Sequence, residues 1–153
     1  MIYTVTMNPS LDYLLSLPAL QAGETNRSAA ERLVAGGKGI NVSKMLYNLG
    51  TDSIIWGFAG GFSGEELCRQ LTAAGLRQEL IFLHNGNTRI NVKLSAGQET
   101  EVNAKGPQAE EEALQIFYRR LEALTAEEYQ MVTAASDFKI KTFFFGDLLG
   151  EVP

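Results

Sequence analysis

The sequence has 153 residues, of which 45% are hydrophobic and 20% are charged, and its formal net charge is −5 at pH 7. This length and composition suit one folded globular domain and exclude a chain that is disordered throughout. The negative charge disfavours general binding to nucleic acids or anionic membranes, because the summed field repels polyanions. We therefore expect no nucleic-acid partner and no membrane partner.

Cysteine content and the first residues of the chain bear on its location. Cys68 is the one cysteine, so it cannot form an internal disulfide, and we expect a small, buried or half-buried apolar residue. The first residues lack the basic and long apolar segments of a signal peptide, and no run of about 18 apolar residues could span a bilayer. These features predict a cytoplasmic protein.

The first strand is predicted over residues 2–7, which are apolar and β-branched and end at the turn signal Asn8-Pro9-Ser10. Asp12 follows directly. Open α/β sheets place ligand groups just beyond the carboxyl ends of strands, so Asp12 is a candidate binding residue. At this stage an ordinary turn or capping aspartate explains it equally well.

Two further short strands are predicted over residues 11–17 and 26–34, separated by Pro18, Gly23 and polar residues. Both precede a glycine-rich turn, so we expect them to form a flap beside it. Arg27 lies on the second predicted strand. Taken alone, Arg27 would count as a solvated surface charge.

The glycine-rich stretch Gly36-Gly37-Lys38-Gly39 runs directly into a helical pattern. A glycine turn that feeds a helix leaves backbone N–H groups at the positive end of the helix dipole, where an anion can bind. A tight turn that merely precedes a helix is the alternative. Gly50 closes this first helix. Apolar residues at i, i+3, i+4 and i+7 predict that its buried face carries Val42, Met45, Leu46 and Leu49.

A second βα unit follows, with a strand over residues 53–58 and a helix that begins at Ser63 or Gly64 and ends at Gly75. The predicted buried face of this helix carries Leu67, Leu71 and Ala74. The intervening glycines match neither G-x-G-x-x-G nor a Walker P-loop. A third strand over residues 78–84 ends at His84, which has no partner at metal-ligand spacing and is given a structural role.

Residues 88–95 and 100–104 flank the turn residues 96–99 and predict a β-hairpin. Arg89, Asn91 and Lys93 share one face of its first strand, which is either plain solvent alternation or a binding face. A helix over residues 109–124 follows, and its predicted inward residues are Leu114, Phe117, Leu121 and Leu124. The chain thus consists of βα units interrupted by strands alone, a partial α/β sheet with a β flap.

Six short motifs occur in order along residues 1 to about 125. They are Asn8-Pro9-Ser10-x-Asp12, Asn26-Arg27, Gly36-Gly37-Lys38-Gly39-x-Asn41, Gly57-Phe58-x-Gly60, Thr88-Arg89-x-Asn91 and Gly106-Pro107. Together they resemble the N-terminal half of the ribokinase-like (phosphofructokinase-B) sugar kinases, nearest the branch that contains 1-phosphofructokinase and tagatose-6-phosphate kinase. The resemblance implies a ribokinase-like fold, a partial three-layer α/β sheet with a β-strand lid that lacks the C-terminal half.

The resemblance also implies a binding site for a phosphorylated hexose. The carboxylate of Asp12 would bind sugar hydroxyls at the glycine turn, while cations would neutralise the phosphate that the substrate already carries. The residues implied to bind substrate are Asp12, Arg27, Gly36, Gly37, Lys38, Asn41, Arg89, Asn91 and Asn103. Lys38, Arg27 and Arg89 are the implied phosphate ligands.

By the same resemblance, ATP and Mg²⁺ are the cofactors, and the catalytic aspartate and most of the nucleotide pocket belong to a second half that this chain does not contain. We therefore expect no catalytic residue and no metal ligand here. The predicted organisation is an N-terminal part of a kinase domain over residues 1–130, with lid strands near 11–17, 26–34 and 88–104. Residues 131–153 are predicted to be a divergent or out-of-frame tail.

The resemblance predicts that the family's activity is ATP-dependent phosphorylation of a phosphohexose. The 153-residue chain is predicted to be a truncated form that is inactive alone. The alternative is a non-catalytic sugar-phosphate-binding or oligomerising remnant. A sheet that ends after a few strands exposes an edge and apolar faces. We therefore expect a homo-oligomer formed through the lid or the exposed sheet edge.

Overall fold

The computed structural model describes residues 1–124, 131–134 and 142–143. These residues form two sheets and three helices. The elements are β1 (Ile2–Thr6), β2 (Ser10–Ser16), β3 (Ala30–Gly36), α1 (Lys38–Asn48), β4 (Ser53–Gly60), α2 (Gly61–Ala73), β5 (Arg77–Leu83), β6 (Arg89–Ala96), β7 (Gln98–Val102), α3 (Glu111–Glu122), β8 (Met131–Ala134) and β9 (Thr142–Phe143).

The larger sheet has the strand order β5-β4-β1-β8-β9. Its first four strands are parallel, and β9 is antiparallel to β8. The chain moves outward from β1 to β4 and β5, and then returns to the other side of β1 as β8. Because parallel crossovers are right-handed, this reversal places the connecting helices on opposite faces and opens a crevice at the carboxyl end of β1.

Two apolar cores confirm that helices cover both faces of this sheet. On one face, Ile55 of β4 packs with Ile40 of α1 and with Leu67 and Leu71 of α2. On the other face, Trp56 and its neighbours pack against Phe117 of α3. All eight residues of β4 are buried, as expected for a strand with helices on both sides.

The smaller sheet, which we call the lid sheet, has the order β3-β2-β6-β7. Strand β2 is antiparallel to β3 and parallel to β6, and β6 and β7 form an antiparallel hairpin. Its first strand follows β1 directly, and its last residues before α1 are Ala35 and Gly36. The predicted arrangement of βα units interrupted by a β flap is therefore confirmed.

The predicted buried face of α1 is wrong at two positions. Met45 and Leu49 are 60% and 70% exposed, whereas the buried residues of the helix are Gly39, Ile40 and Ser43. The reason is close packing against β1. A Cβ on Gly39 would lie 2.6 Å from the carbonyl oxygen of Val5, so the face that contains Gly39, Ile40 and Ser43 packs against the sheet and leaves Met45 and Leu49 exposed.

Strand β3 begins later than predicted. It spans Ala30–Gly36, so Arg27 lies in the loop before it and not on the strand. Asn26 holds this loop, because its side chain bonds both the N–H and C=O of Gln21 and the C=O of Glu24. The hairpin turn is also tighter than predicted, since only Gly97, at φ 80°, separates β6 from β7.

The helices differ from prediction mainly at their ends. Helix α2 begins at Gly61, because a turn at Gly60 and Gly61 lets the chain leave β4 directly. Leu67 and Leu71 are fully buried as predicted, but Ala74 is the exposed C-cap residue. In α3 only Ala113 and Phe117 are fully buried, while the other predicted inward residues are half-buried.

The prediction of a divergent tail over residues 131–153 lies largely outside the described residues. Within the described part, β8 pairs in parallel with β1, with Met131 opposite Ile2 and Ala134 opposite Val5. The backbone of β8 thus lies next to β1, on the side opposite β4, where the order of strands along the chain reverses. The predicted boundary at residue 130 therefore remains a prediction.

Candidate functional site

The site lies on one face of the lid sheet, where three rows of residues stand side by side. Residues directly opposite one another in paired strands share a face. Ser10 of β2 lies opposite Gly36 and Arg89, and Asp12 lies opposite Val34 and Asn91. The third row contains Arg32, Leu14, Lys93 and Glu101. Parallel pairing of β2 with β6 therefore places Asp12 beside Arg89, Asn91 and Lys93, the residues of the polar face predicted for the hairpin.

The carboxylate of Asp12 is oriented by its neighbours. Oδ1 accepts hydrogen bonds from Ser10 Oγ at 2.8 Å and from Asn91 Nδ2 at 2.9 Å. Oδ2 forms an ion pair with Lys93 Nζ at 3.2 Å. Asn91 is 5% exposed, and its own Oδ1 accepts from the N–H of Ala104 at 3.2 Å. Asp12 is thus held in one orientation, with Oδ2 on the side of Gly36.

These contacts keep the Asp12 carboxylate charged. Burial by itself raises the pKa of Asp12, but hydrogen bonds from Ser10, Asn91 and Lys93, together with the Lys93 charge, bring the pKa below its ordinary value. The bond to Asp12 correspondingly raises the pKa of Lys93. At neutral pH the site therefore presents an anionic acceptor for hydroxyl groups.

Glycine is required at the turn because other groups occupy the space where a side chain would lie. A Cβ on Gly36 would come within 2.8 Å of both Asp12 Oδ2 and Ser10 Oγ. A Cβ on Gly37 would lie 2.7 Å from Thr6 Cγ2, and this residue also has φ 132°. Glycine at position 36 therefore lets the backbone of the turn lie directly against the Asp12 carboxylate.

The first turn of α1 provides amide groups at the same place. The amide of Ile40 donates to Thr6 Oγ1 at 3.1 Å, and that of Asn41 donates to the C=O of Gly37 at 2.9 Å. The amides of Lys38 and Gly39 lie earlier in the turn, where helix geometry offers no intrahelical acceptor. The side chains of Lys38 and Asn41 are both exposed, so both residues face solvent beside the turn.

Arg89 begins β6 next to Ser10 and has an unsatisfied donor. Its Nε is buried and has no hydrogen-bond partner among the described residues. A buried guanidinium N–H without a partner is costly, and an anionic ligand would satisfy it. Arg89 is anchored at the edge of the crevice, since Thr88 bonds Gly60 through both its backbone and its side chain.

Two predicted residues are not brought to Asp12. Arg27 lies beyond the far end of β2, past the pairing of Ser16 with Ala30, and six residues of strand from Ser10 correspond to about 20 Å. Asn103 is exposed after β7, and its side chain donates to Glu101 Oε2 at 3.4 Å. Glu101 in turn pairs with Lys93, the ion-pair partner of Asp12. The lid register therefore leaves Arg27 apart from the other candidates and places Asn103 at the edge of the Asp12 cluster.

The structure adds residues that the sequence interpretation did not select. Ser10 and Lys93 contact Asp12 directly, and alternation along β2 and β6 was the signal that could have identified both. Lys44 donates to the C=O of Ala35. Burial lowers the pKa of Lys44, while the charge of Asp12 opposes this shift. No local pattern marks Lys44, because its position depends on how α1 packs.

A metal site is not formed within the described part of the chain. No three His, Cys, Asp or Glu side chains among the described residues gather into a group that could hold a metal ion. Asp12, the carboxylate beside Gly36, is already paired with Lys93. The described residues of the site therefore do not fit a bound Mg²⁺.

Comparison with known proteins identifies the family. The family model of the pfkB carbohydrate kinases matches residues 5–142. The chain therefore belongs to the pfkB family of carbohydrate kinases, and the predicted family is confirmed.

Relatives place the chain more closely within this family. A 1-phosphofructokinase of Bacillus subtilis is 42% identical over 124 residues, which are 81% of this chain and 41% of the relative. A tagatose-6-phosphate kinase of Staphylococcus epidermidis is 34% identical over 151 residues, 97% of this chain and 48% of the relative. The chain thus spans less than half the length of the curated relatives it matches.

The solved structures agree with this assignment. Phosphofructokinase-2 from Escherichia coli, crystallised with substrates and products, has a TM-score of 0.75 and 25% identity, and the match covers 80% of this chain and 41% of that one. The predicted ribokinase-like α/β fold is confirmed. No helix in the described part of the chain is long and apolar enough to cross a membrane.

Proposed function

We propose that this chain carries the acceptor-sugar side of an ATP-dependent sugar-phosphate kinase of the 1-phosphofructokinase or tagatose-6-phosphate kinase type. The substrate is a phosphorylated ketohexose, bound between the glycine turn and the lid sheet. Family membership and the relatives above support a sugar-phosphate kinase. Which phosphohexose binds is the part that experiment must decide.

One observation carries the proposal: Asp12 Oδ2 stands 2.8 Å from the position of a Cβ on Gly36. A polyol needs a fixed hydroxyl acceptor beside backbone that it can approach closely. The Oδ1 atom accepts hydrogen bonds from Ser10 and Asn91. The Oδ2 atom forms an ion pair with Lys93 Nζ. In our proposal Asp12 binds a sugar hydroxyl, and Asn91 orients Asp12.

The substrate phosphate requires positive charge near this acceptor. Arg89 offers a buried Nε that has no hydrogen-bond partner in the described part of the chain, and its planar guanidinium suits bidentate contact with phosphate. Lys38 and the helix amides beside it add positive potential at the start of α1. Asn41 is proposed to contact the sugar from the same turn. Arg27 and Asn103 remain sequence predictions. Arg27 lies in the loop beyond β2, and Asn103 bonds Glu101 rather than Asp12.

Phosphoryl transfer needs more than these residues provide. When bound, ATP with Mg²⁺ would supply the transferred phosphoryl group and neutralise its developing charge. The chain spans less than half the length of the relatives it matches. On this ground we propose that the 153-residue chain by itself binds the phosphosugar, keeps it oriented, and does not transfer phosphate to it.

Calorimetric titration of the purified chain tests the site. Fructose 1-phosphate, fructose 6-phosphate and tagatose 6-phosphate are compared with fructose, which lacks the phosphate. We expect one phosphosugar to bind, and we expect Arg89→Gln and Lys38→Ala each to weaken it by about tenfold, while affinity for fructose is unaffected. Arg77→Gln, a change at an exposed arginine of β5, is the matched control. Equal affinity in all variants would contradict the proposed phosphate site.

A kinase assay tests the second part of the proposal. The chain is incubated with ATP, Mg²⁺ and the phosphosugar that binds, and ADP release is followed. We expect turnover to be no faster than in the Asp12→Ala variant. Robust turnover by the unaltered chain would show that the 153 residues contain the complete catalytic machinery, and would overturn this part.

We also propose that the chain self-associates through the lid sheet. On the face opposite Asp12, Leu33, Tyr13, Val92 and Val102 form one apolar row across all four strands. Leu33 is 36% exposed and Val102 is 61% exposed, and such a row favours burial against another surface. Light scattering should detect dimers or larger species, and a monodisperse monomer at micromolar concentration would refute self-association.

A further inference from the structure

The outer edge of β3, one of the two edge strands of the lid sheet, is held by side chains. β3 pairs with β2 on its inner side, and every second residue of an edge strand directs its N–H and C=O away from the sheet. Ala35 is such a residue. Its N–H donates to Gln70 Oε1 at 2.8 Å, and its C=O accepts from Lys44 Nζ at 2.5 Å. Helices α2 and α1 therefore satisfy both polar groups of Ala35.

Gln70 bonds the outer edge of β3 as a neighbouring strand would. Its Oε1 accepts from Ala35, while its Nε2 donates to the C=O of Leu33 at 3.3 Å, two residues earlier on the same edge. A neighbouring strand would offer the same acceptor and donor. The Gln70 amide is fixed in turn by Glu66 Oε1 at 2.8 Å, and Arg69 holds that carboxylate with two bonds.

This anchor lies next to the candidate site. Ala35 precedes Gly36, and it pairs with Leu11, the residue before Asp12. A displacement of β3 at Ala35 would therefore move Gly36 relative to the Asp12 carboxylate. The space between them already excludes a methyl group, since a Cβ on Gly36 would lie 2.8 Å from Asp12 Oδ2, so a shift of a few tenths of an ångström changes what can enter.

We propose that Gln70, assisted by Lys44, is a positioning residue of the acceptor site: it anchors β3 to the core helices and thereby sets the position of Gly36 against Asp12. This inference rests on the proposed sugar-phosphate site. Gln70 acts through the backbone of β3 and does not contact Asp12. The charge of Lys44 interacts with that of Asp12, so a change at Lys44 would also alter the electrostatics of the site. Gln70 is uncharged and gives the cleaner test.

The experiment compares Gln70→Leu with the unaltered chain. Leucine has similar size but cannot make the hydrogen bonds. Gln115→Leu is the matched control, because Gln115 is exposed on α3 and its side chain bonds Glu111 of the same helix, at 2.9 Å. The readouts are amide hydrogen exchange at Ala35, measured by NMR, and the dissociation constant of the phosphosugar that the unaltered chain binds most tightly.

We expect Gln70→Leu to accelerate exchange at Ala35 about fivefold or more and to weaken phosphosugar binding about tenfold, whereas Gln115→Leu changes neither. The double change Gln70→Glu with Glu66→Gln is the second variant. It keeps an acceptor for the Ala35 N–H and an amide–carboxylate pair between positions 66 and 70 but cannot donate to Leu33 from position 70, so we expect it to retain protection at Ala35. This variant also serves if Gln70→Leu does not fold.

Each outcome decides a separate point. Unchanged exchange at Ala35 in folded Gln70→Leu would overturn the anchor. Faster exchange with unchanged affinity would overturn the positioning role. If the unaltered chain binds no phosphosugar, the proposed function fails and the positioning role fails with it, while the exchange comparison still decides whether Gln70 anchors β3.

Discussion

Asp12 and Gly36 lie so close together that position 36 has no room for a side chain. Asp12 Oδ2 lies 2.8 Å from where a Cβ on Gly36 would be, and Ser10 Oγ is equally close. Asp12 pairs with Val34, two residues before Gly36. The register of two antiparallel strands thus joins the acceptor carboxylate to the glycine turn that opens α1.

The first prediction concerns Gly36→Ala. The added methyl group displaces Asp12 or Ser10, so we expect a loss of about 1–3 kcal/mol in the free energy of unfolding and at least tenfold weaker phosphosugar binding. Urea unfolding and calorimetry measure the two effects. Gly50→Ala is the control, because it has open space but φ 73°, and it should cost about 1 kcal/mol without affecting binding. Unaltered binding in Gly36→Ala would refute the role of the close approach between Gly36 and Asp12.

The second prediction concerns pH and Asp12. The pKa of Asp12 in the folded chain lies below its ordinary value of 3.8. The ionised carboxylate therefore stabilises the fold above about pH 4, and this contribution is lost as the pH falls through the lower folded value. Asp12→Asn should be less stable than the unaltered chain by about 1–2 kcal/mol at neutral pH.

Urea unfolding at pH 7, 5 and 3 checks this expectation. The stability difference between Asp12→Asn and the unaltered chain should be similar at the two higher pH values and smaller at the lowest. Asp52→Asn is the control, because Asp52 is exposed between α1 and β4. A difference that grows on acidification would show that the Asp12 pKa is raised rather than lowered.

The third prediction tests the packing of α3. Phe117 is 4% exposed, and its ring packs against those of Trp56 and Phe58. Phe117→Ala should lower the free energy of unfolding by about 3–5 kcal/mol, through lost burial and the cavity left behind. Phe62, which is 67% exposed, provides the matched change, and Phe62→Ala should cost under about 1 kcal/mol. Equal costs would contradict this placement of α3.

The fourth prediction concerns three buried hydroxyl groups that tie α1 to the larger sheet. Ser43 Oγ lies 2.7 Å from Thr4 Oγ1 and accepts from Ser53 Oγ at 2.8 Å. Ser43→Ala leaves both neighbours without this partner, so we expect a loss of about 1–3 kcal/mol. Adding Thr4→Val to Ser43→Ala should cost less than the two single changes summed. Strict additivity would show that Thr4 and Ser43 do not interact.

Much of the fold follows from local patterns in the sequence. Strands β1, β4 and β5 and all three helices were predicted to within a few residues, because alternation and helical periodicity depend on neighbours along the chain. The glycine turn before α1 was predicted for the same reason. Buried faces were less certain. Apolar spacing suggested Met45 and Leu49, but a helix that packs through Gly39 and Ser43 leaves those side chains in water.

The sequence by itself therefore determined the elements, the glycine turn and the candidate identity of Asp12, Arg89 and Asn91. Only the tertiary structure decided how they meet. Asn91 reaches Asp12 from 79 residues away, through a parallel strand pairing that no local spacing encodes. The same pairing turns Asn91 into a support for Asp12 and adds Lys93. Gln70 bonds the backbone of β3 for the same physical reason: long-range packing, rather than local periodicity, sets which polar groups of distant segments must satisfy one another.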